Sequence, residues 1–217
     1  MSTTQPDGYL ALPPSGTGSG VLVLHPWWGL NATIKTFCDR LAEAGFVAFA
    51  PDLYHGKVTD TIAGAESLSS ALFEHSDQAE ADVAQATTFL KEHAQSGAAG
   101  LAVIGFSMGV PFALTLSAAV PGIRSVVIFY GTGDAAFSKS KAEYLAHFAE
   151  NDPYEPPANV EYLESALKQA GRPATFYQYS GTGHWFFEPD RAAAYNEAAA
   201  RLAWERTLAF LQRPATA

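Results

Sequence analysis

A chain of 217 residues with 48% hydrophobic and 16% charged side chains carries enough apolar material to bury a core without disulfides or metals, so one domain over residues 1–217 is expected. Its 22 acidic residues against 13 basic ones give a net charge of −9, which repels phosphate backbones and anionic lipids and argues against nucleic-acid or membrane partners. The lone Cys38 rules out an intrachain disulfide, no apolar run reaches the ~18 residues of a membrane span, and the N-terminal MSTTQPDGYL lacks a basic-then-apolar leader, so a cytoplasmic location is expected.

Residues 8–12 suggest a short edge strand, ended by the turn-rich stretch 13–20. Residues 20–25, GVLVLH, read as a buried strand. It is followed by Pro26-Trp27-Trp28-Gly29-Leu30-Asn31, where Asn31 can cap a helix running to Ala44 with Gly45 as its stop. Cys38 lies on the apolar side of that helix with Ile34, Phe37 and Leu41, which predicts packing rather than reactivity. A strand over 46–50, helical stretches over 59–76 and 77–95, and a strand over 101–105 come next. Then follow a helix over 110–119 and strands over 125–130 and 144–149. Pro156 and Pro157 open a helix ending near Gly171, residues 174–179 form a last strand, and a long helix is predicted over 190–212. Strands alternate with helices at spacings too long for hairpins, which predicts a mainly parallel sheet covered on both faces, with any ligand at the carboxyl ends of the strands.

At one such end stands Gly105-Phe106-Ser107-Met108-Gly109, a G-x-S-x-G pattern between a buried strand and a helix. Glycines two before and two after the serine allow a sharp turn that presents its hydroxyl. A serine is a weak nucleophile at neutral pH, so it needs a base, and the base needs an acid to hold its tautomer. His184 is the best-placed base, because Ser180-Gly181-Thr182-Gly183 lets its loop cross the strand ends. Asp152, just after the strand over 144–149, is favoured as the acid over Asp134, and gives the chain order Ser, Asp, His of an α/β-hydrolase. The backbone N–H groups of Met108 and Trp27 are the candidate oxyanion donors. Trp28 is a candidate pocket wall, with ordinary aromatic packing as the alternative for either tryptophan, and His25 is a secondary binding candidate. No paired histidines or Cys/His cluster suggest a metal, and GTGSG at 16–20 precedes the first strand instead of joining strand to helix, so neither metal nor nucleotide cofactor is expected.

The segments His25-Pro26-Trp27-Trp28-Gly29-Leu30-Asn31, Pro51-Asp52-Leu53-Tyr54, Gly105-Phe106-Ser107-Met108-Gly109, Gly183-His184-Trp185-Phe186 and Trp204-Glu205-Arg206-Thr207-Leu208 together resemble the dienelactone hydrolase family, in its order and spacing, over nearly the whole chain. The resemblance implies an α/β-hydrolase fold without a large cap, a triad of Ser107, Asp152 and His184, and cofactor-free hydrolysis of a small ester or lactone. Tyr54 and Trp185, within these segments, join the candidate substrate-binding residues. Best-known members of the family carry cysteine where this chain has Ser107, and glutamate where it has Pro26. The two differences agree chemically, since a serine served by a general base has no thiolate to switch on. No arginine occurs between Arg40 and Arg124, and Glu188 follows His184 by four residues, so a carboxylate substrate is expected to meet negative charge there unless Arg191 folds back. Rival readings are a thioesterase or small peptidase with the same triad, or a non-catalytic ligand-binding protein on this fold.

Overall fold

The computed structural model describes residues 4–95 and 100–213. Its centre is a seven-stranded sheet in the order β1-β3-β2-β4-β5-β6-β7. The strands are β1 (Gly8–Ala11), β2 (Gly20–Leu24), β3 (Val47–Pro51), β4 (Leu101–Phe106), β5 (Ile123–Phe129), β6 (Glu143–Asn151) and β7 (Ala174–Gly183). Neighbours pair in parallel except β1, which runs antiparallel to β3 at one edge. The helices are α1 (Ala32–Glu43), α2 (Ile62–Glu74), α3 (Ser76–His93), α4 (Val110–Ala119), α5 (Pro157–Gln169) and α6 (Glu197–Leu211). This is the α/β-hydrolase arrangement, a mostly parallel open sheet with helices on both faces.

Every residue of β2, β3 and β4 is buried, as the uninterrupted apolar runs require of strands covered on both sides. Alternation then divides them between two cores. Leu22, Leu24 and Val103 pack with Phe89 and Leu90 of α3 and Leu114 of α4. Val21, Val23 and Ile104 pack on the other face with Ile34, Phe37 and Leu41 of α1 and Ala203 and Phe210 of α6. Phe37 is the hub of this second core: its ring meets those of Phe106, Phe129, Phe187 and Trp204 edge-on, at 5.1–6.3 Å between centroids. Cys38 beside it is fully buried, and burial pushes its thiol up, which suits a packing role.

Two boundaries differ from the sequence expectation by four residues or more. The last helix begins at Glu197, seven residues later than the expected start at 190, because residues 189–194 form turns and Asn196 caps the helix by accepting from the Ala199 N–H at 3.0 Å. At the other end of the site, β7 extends to Gly183, four residues beyond the expected end at 179, and so delivers its carboxyl terminus directly to His184. The expected cap at Asn31 forms, accepting from the Ile34 N–H at 3.1 Å. The helical stretch expected over 77–95 corresponds to α3, which ends at His93.

Candidate active site

Three strand ends converge on one locus. Ser107 follows β4, Asp152 follows β6, and His184 follows β7. Ser107 sits at φ +45°, a left-handed conformation that a non-glycine residue adopts at a cost of roughly 1–3 kcal/mol and only where its surroundings enforce it. The two flanking glycines explain the enforcement. A Cβ on Gly109 would meet the Leu24 carbonyl oxygen at 2.5 Å, and one on Gly105 would meet the Val110 Cα at 2.9 Å. The turn is thus pressed against the end of β2 on one side and its own helix on the other.

The Ser107 Oγ lies 2.8 Å from His184 Nε2, and His184 Nδ1 lies 2.7 Å from Asp152 Oδ2. Since a carboxylate only accepts, Nδ1 carries the proton and Nε2 accepts from the serine hydroxyl. The His184 and Asp152 side chains are almost wholly shielded from water. The second carboxyl oxygen of Asp152 accepts from the backbone N–H groups of Tyr154 at 2.9 Å and Glu155 at 3.1 Å, so the carboxylate has partners on both oxygens. Glu155 secures that turn from below by accepting from Thr132, at 2.7 Å from its hydroxyl and 3.2 Å from its N–H. Asp134, the rival acid, is exposed and caps its own turn through the Ala135 N–H.

Aromatic rings surround the histidine. Tyr154, Trp185 and Tyr130 have centroids 5.0, 5.1 and 4.9 Å from the imidazole, and Trp27 lies 5.8 Å from Tyr154. Trp27 and Trp185 are half-buried and Tyr154 is 42% exposed, so these three present apolar surface to an incoming molecule. Three other residues expected to touch substrate have buried side chains. Trp28 is buried between Trp185 and the Arg191 guanidinium, which lies 4.0 Å over its ring. Tyr54 is buried with its hydroxyl directed to the Met108 sulfur at 2.9 Å, so it braces the residue after Ser107. His25 is fully buried: Nδ1 donates to the Pro26 carbonyl at 2.8 Å and Nε2 accepts from the Leu53 N–H at 3.2 Å, which ties the loop after β2 to the loop after β3. Burial holds that imidazole below its ordinary pKa, consistent with a neutral structural ring. All three follow strands at the site's end of the sheet, but their side chains turn inward there.

Trp27 lies three residues after β2 and Met108 two residues after β4, and these strands are adjacent and parallel, so both positions follow the same end of the sheet. Glu188 departs from expectation. It is fully buried, not facing the approach to Ser107, and one of its oxygens accepts from the Tyr130 hydroxyl at 2.7 Å. Burial pushes its carboxyl up to about 8, which favours the neutral acid at neutral pH. Arg191 folds back toward the site, yet its terminal nitrogens are taken by Asp190 at 3.0 Å and by the Asp60 carbonyl at 3.1 Å. Tyr130, Tyr154 and the buried position of Glu188 were not foreseen; Tyr154 stands in the Asp-Pro-Tyr turn, the one local hint that a side chain would project beside Asp152. Among the described residues no cluster of His, Cys, Asp or Glu could hold a metal ion, and no helix is long and apolar enough to cross a membrane.

A sharp serine turn on the central strand, with histidine and aspartate at the ends of later strands, defines the α/β-hydrolase class. Residues 7–214 match the dienelactone hydrolase family, and the chain belongs to it. It is 35% identical to protein usf of Aquifex pyrophilus over 94% of this chain and 92% of that one. It is 31% identical to the probable 2-oxo-3-(5-oxofuran-2-ylidene)propanoate lactonase of Bradyrhizobium sp., over 94% of this chain and 88% of the other. A crystal structure of a Klebsiella pneumoniae protein, for which dienelactone hydrolase is the provisional name, superposes with a TM-score of 0.81 at 26% identity, covering 95% of this chain and 92% of that one. The protein is therefore a hydrolase of the esterase and lactonase type, acting on small molecules.

Proposed function

We propose that the protein is a serine hydrolase that cleaves small, uncharged carboxylic esters or lactones through an acyl-enzyme. The observation that carries this reading is the strained Ser107 with its hydroxyl 2.8 Å from a histidine whose other nitrogen is held by a carboxylate. Ser107 Oγ attacks the carbonyl carbon while its proton passes to His184 Nε2, and Asp152 stabilises the imidazolium that forms. The N–H groups of Met108 and Trp27 receive the developing oxyanion; each such donor is worth about 10²–10³ in rate in related chemistry. The tetrahedral species collapses as the alkoxide leaves with the proton from Nε2. In a lactone that alcohol remains tethered to the acyl group. Water, deprotonated by His184, then attacks the acyl carbonyl, and the released carboxylic acid leaves Ser107 with its proton restored.

The substrate class follows from what surrounds the serine. Trp27, Tyr154 and Trp185 offer ring faces, which favour planar apolar groups. Arg191 is committed elsewhere, so it is poorly placed to receive a substrate carboxylate. The test is direct. Ser107→Ala should abolish turnover of short p-nitrophenyl esters, and an organophosphate should add mass at Ser107 alone. Persistent turnover in that variant, or labelling elsewhere with activity lost, ends this reading.

A further inference from the structure

The hydrogen-bonded chain from Ser107 to Asp152 leaves one neighbouring ionisable side chain without a task. Glu188 has no exposed surface, and while one oxygen accepts from Tyr130, the other is buried with no hydrogen-bond partner among the described residues. An ionised carboxylate so placed is expensive, and a neutral acid far less so. The Tyr130 ring that Glu188 anchors packs 4.9 Å from the His184 imidazole at 59°. Tyr130 itself is held at φ +37°, and its N–H donates to the His147 carbonyl at 2.8 Å, so this ring is fixed from both its backbone and its tip.

The groups facing Glu188 come from every side. Tyr130 approaches from the end of β5, and burial and the nearby acid hold its phenol well above its ordinary value. Asp190 brings like charge from the following turn, while Arg191, whose charge opposes it, has its terminal nitrogens on Asp190 and Asp60 and its plane on Trp28. Asp152 and His184 lie beyond Tyr130. Arg191 is the one positive charge that acts on Glu188; burial outweighs its attraction, and no group among the described residues hydrogen-bonds the second carboxyl oxygen.

We propose that Glu188 is a positioning residue: as a neutral acid it locks Tyr130 against His184 and so keeps the imidazole aligned between Ser107 and Asp152, and its ionisation undoes that alignment. The proposal rests on the serine-hydrolase reading above. The reason for the loss is mechanical. Glu188 lies on the same turn as His184, with its N–H donating to the Trp185 carbonyl at 2.9 Å, so water can solvate a new charge there by opening the segment that carries the base. Burial sets the carboxyl up to about 8, inside the working range of such an enzyme.

The experiment is the pH profile of kcat/KM, and of kcat and KM separately, for a p-nitrophenyl ester with wild type, Glu188→Gln and Tyr130→Phe. Wild type should fall about tenfold per pH unit above its alkaline ionisation. Glu188→Gln keeps an acceptor for Tyr130 and removes the ionisation, so that fall should be absent. Tyr130→Phe, which frees the ring tip, should lower kcat severalfold with KM nearly constant. Superimposable wild-type and Glu188→Gln profiles would overturn the proposal. Should Glu188→Gln not fold, infrared difference spectra of wild type decide: a protonated-carboxyl band at neutral pH that bleaches in step with activity supports it, and its absence overturns it. Ser107→Ala in the same series separates the two ideas. Turnover in that variant sinks the serine mechanism itself, whereas an inactive Ser107→Ala beside superimposable profiles removes only the role of Glu188.

Discussion

The carboxylate of Asp152 is shared with Tyr154: one oxygen accepts from the Tyr154 N–H at 2.9 Å while the other holds His184, and the Tyr154 ring lies 5.0 Å from that same imidazole. The turn that holds the His184 imidazole therefore also places an aromatic ring beside it. In the proposed mechanism, chemistry and recognition would be coupled through two residues of a single Asx turn.

Asp152→Asn separates the two duties. Its remaining oxygen can still accept from the Tyr154 and Glu155 N–H groups, so the turn should persist, but an amide nitrogen facing Nδ1 favours the wrong tautomer. We expect kcat to fall by about 10³–10⁴ with a melting temperature close to wild type. Steady-state kinetics and calorimetry on the same preparation check both halves.

Tyr154→Ala should act on binding instead. Loss of a ring face beside the nucleophile should raise KM for aryl esters by about tenfold, roughly the worth of one aromatic contact, while acetate esters change little. Comparing phenyl and methyl esters of one acid measures it.

A paired panel tests the charge preference. With Arg191 engaged and Glu188 buried, an uncharged aromatic lactone should be turned over at least about tenfold faster, by kcat/KM, than a lactone of like size bearing a carboxylate. The reverse order would show that a cation reaches the bound substrate.

Stability should also report Glu188. Its folded value of about 8 exceeds the ordinary 4.5, so the folded state holds a proton that the unfolded chain releases. Its contribution is intact below pH 4.5 and is lost as pH rises to 8, at about 1.4 kcal/mol per unit. Urea midpoints of Glu188→Gln should therefore gain on wild type steadily across that window. His147 works in the opposite sense. Burial, and then the Arg206 charge, bring it down to about 3 from an ordinary 6.5, so its contribution is present above pH 6.5 and lost as pH falls toward 3.

Gly109→Ala should damage the site through packing alone. Its new methyl would press on the Leu24 carbonyl at 2.5 Å, displacing the turn at a cost of about 1–3 kcal/mol and reducing kcat far more than the folded fraction at 25 °C. Melting curves alongside organophosphate labelling rates distinguish displacement from unfolding.

The sequence is legible where connectivity decides the outcome. Uninterrupted apolar runs name β2, β3 and β4, and residues directly after strands in a parallel sheet must emerge at one end, so Ser107, Asp152 and His184 could be grouped before any coordinates. Side-chain direction is another matter. His25, Tyr54 and Trp28 also follow strands, yet each turns inward to a partner distant in sequence, respectively Leu53, Met108 and Arg191. Glu188 reads as surface charge in a one-dimensional string because nothing local announces that Tyr130, 58 positions earlier, receives it. The expected start at 190 falls early because helical spacing alone does not reveal that Asn196 supplies the cap.

Strand order also gives the three polar groups unequal anchorage. Ser107 rides on β4, flanked on either side by β2 and β5, whereas His184 hangs from β7 at the margin of the sheet, secured by β6 and by Arg206 of α6 stacked on Tyr177 at 3.7 Å. Detachment of that margin would disarm the molecule while its centre stayed intact. Warming should accordingly silence the enzyme some degrees before its circular dichroism changes.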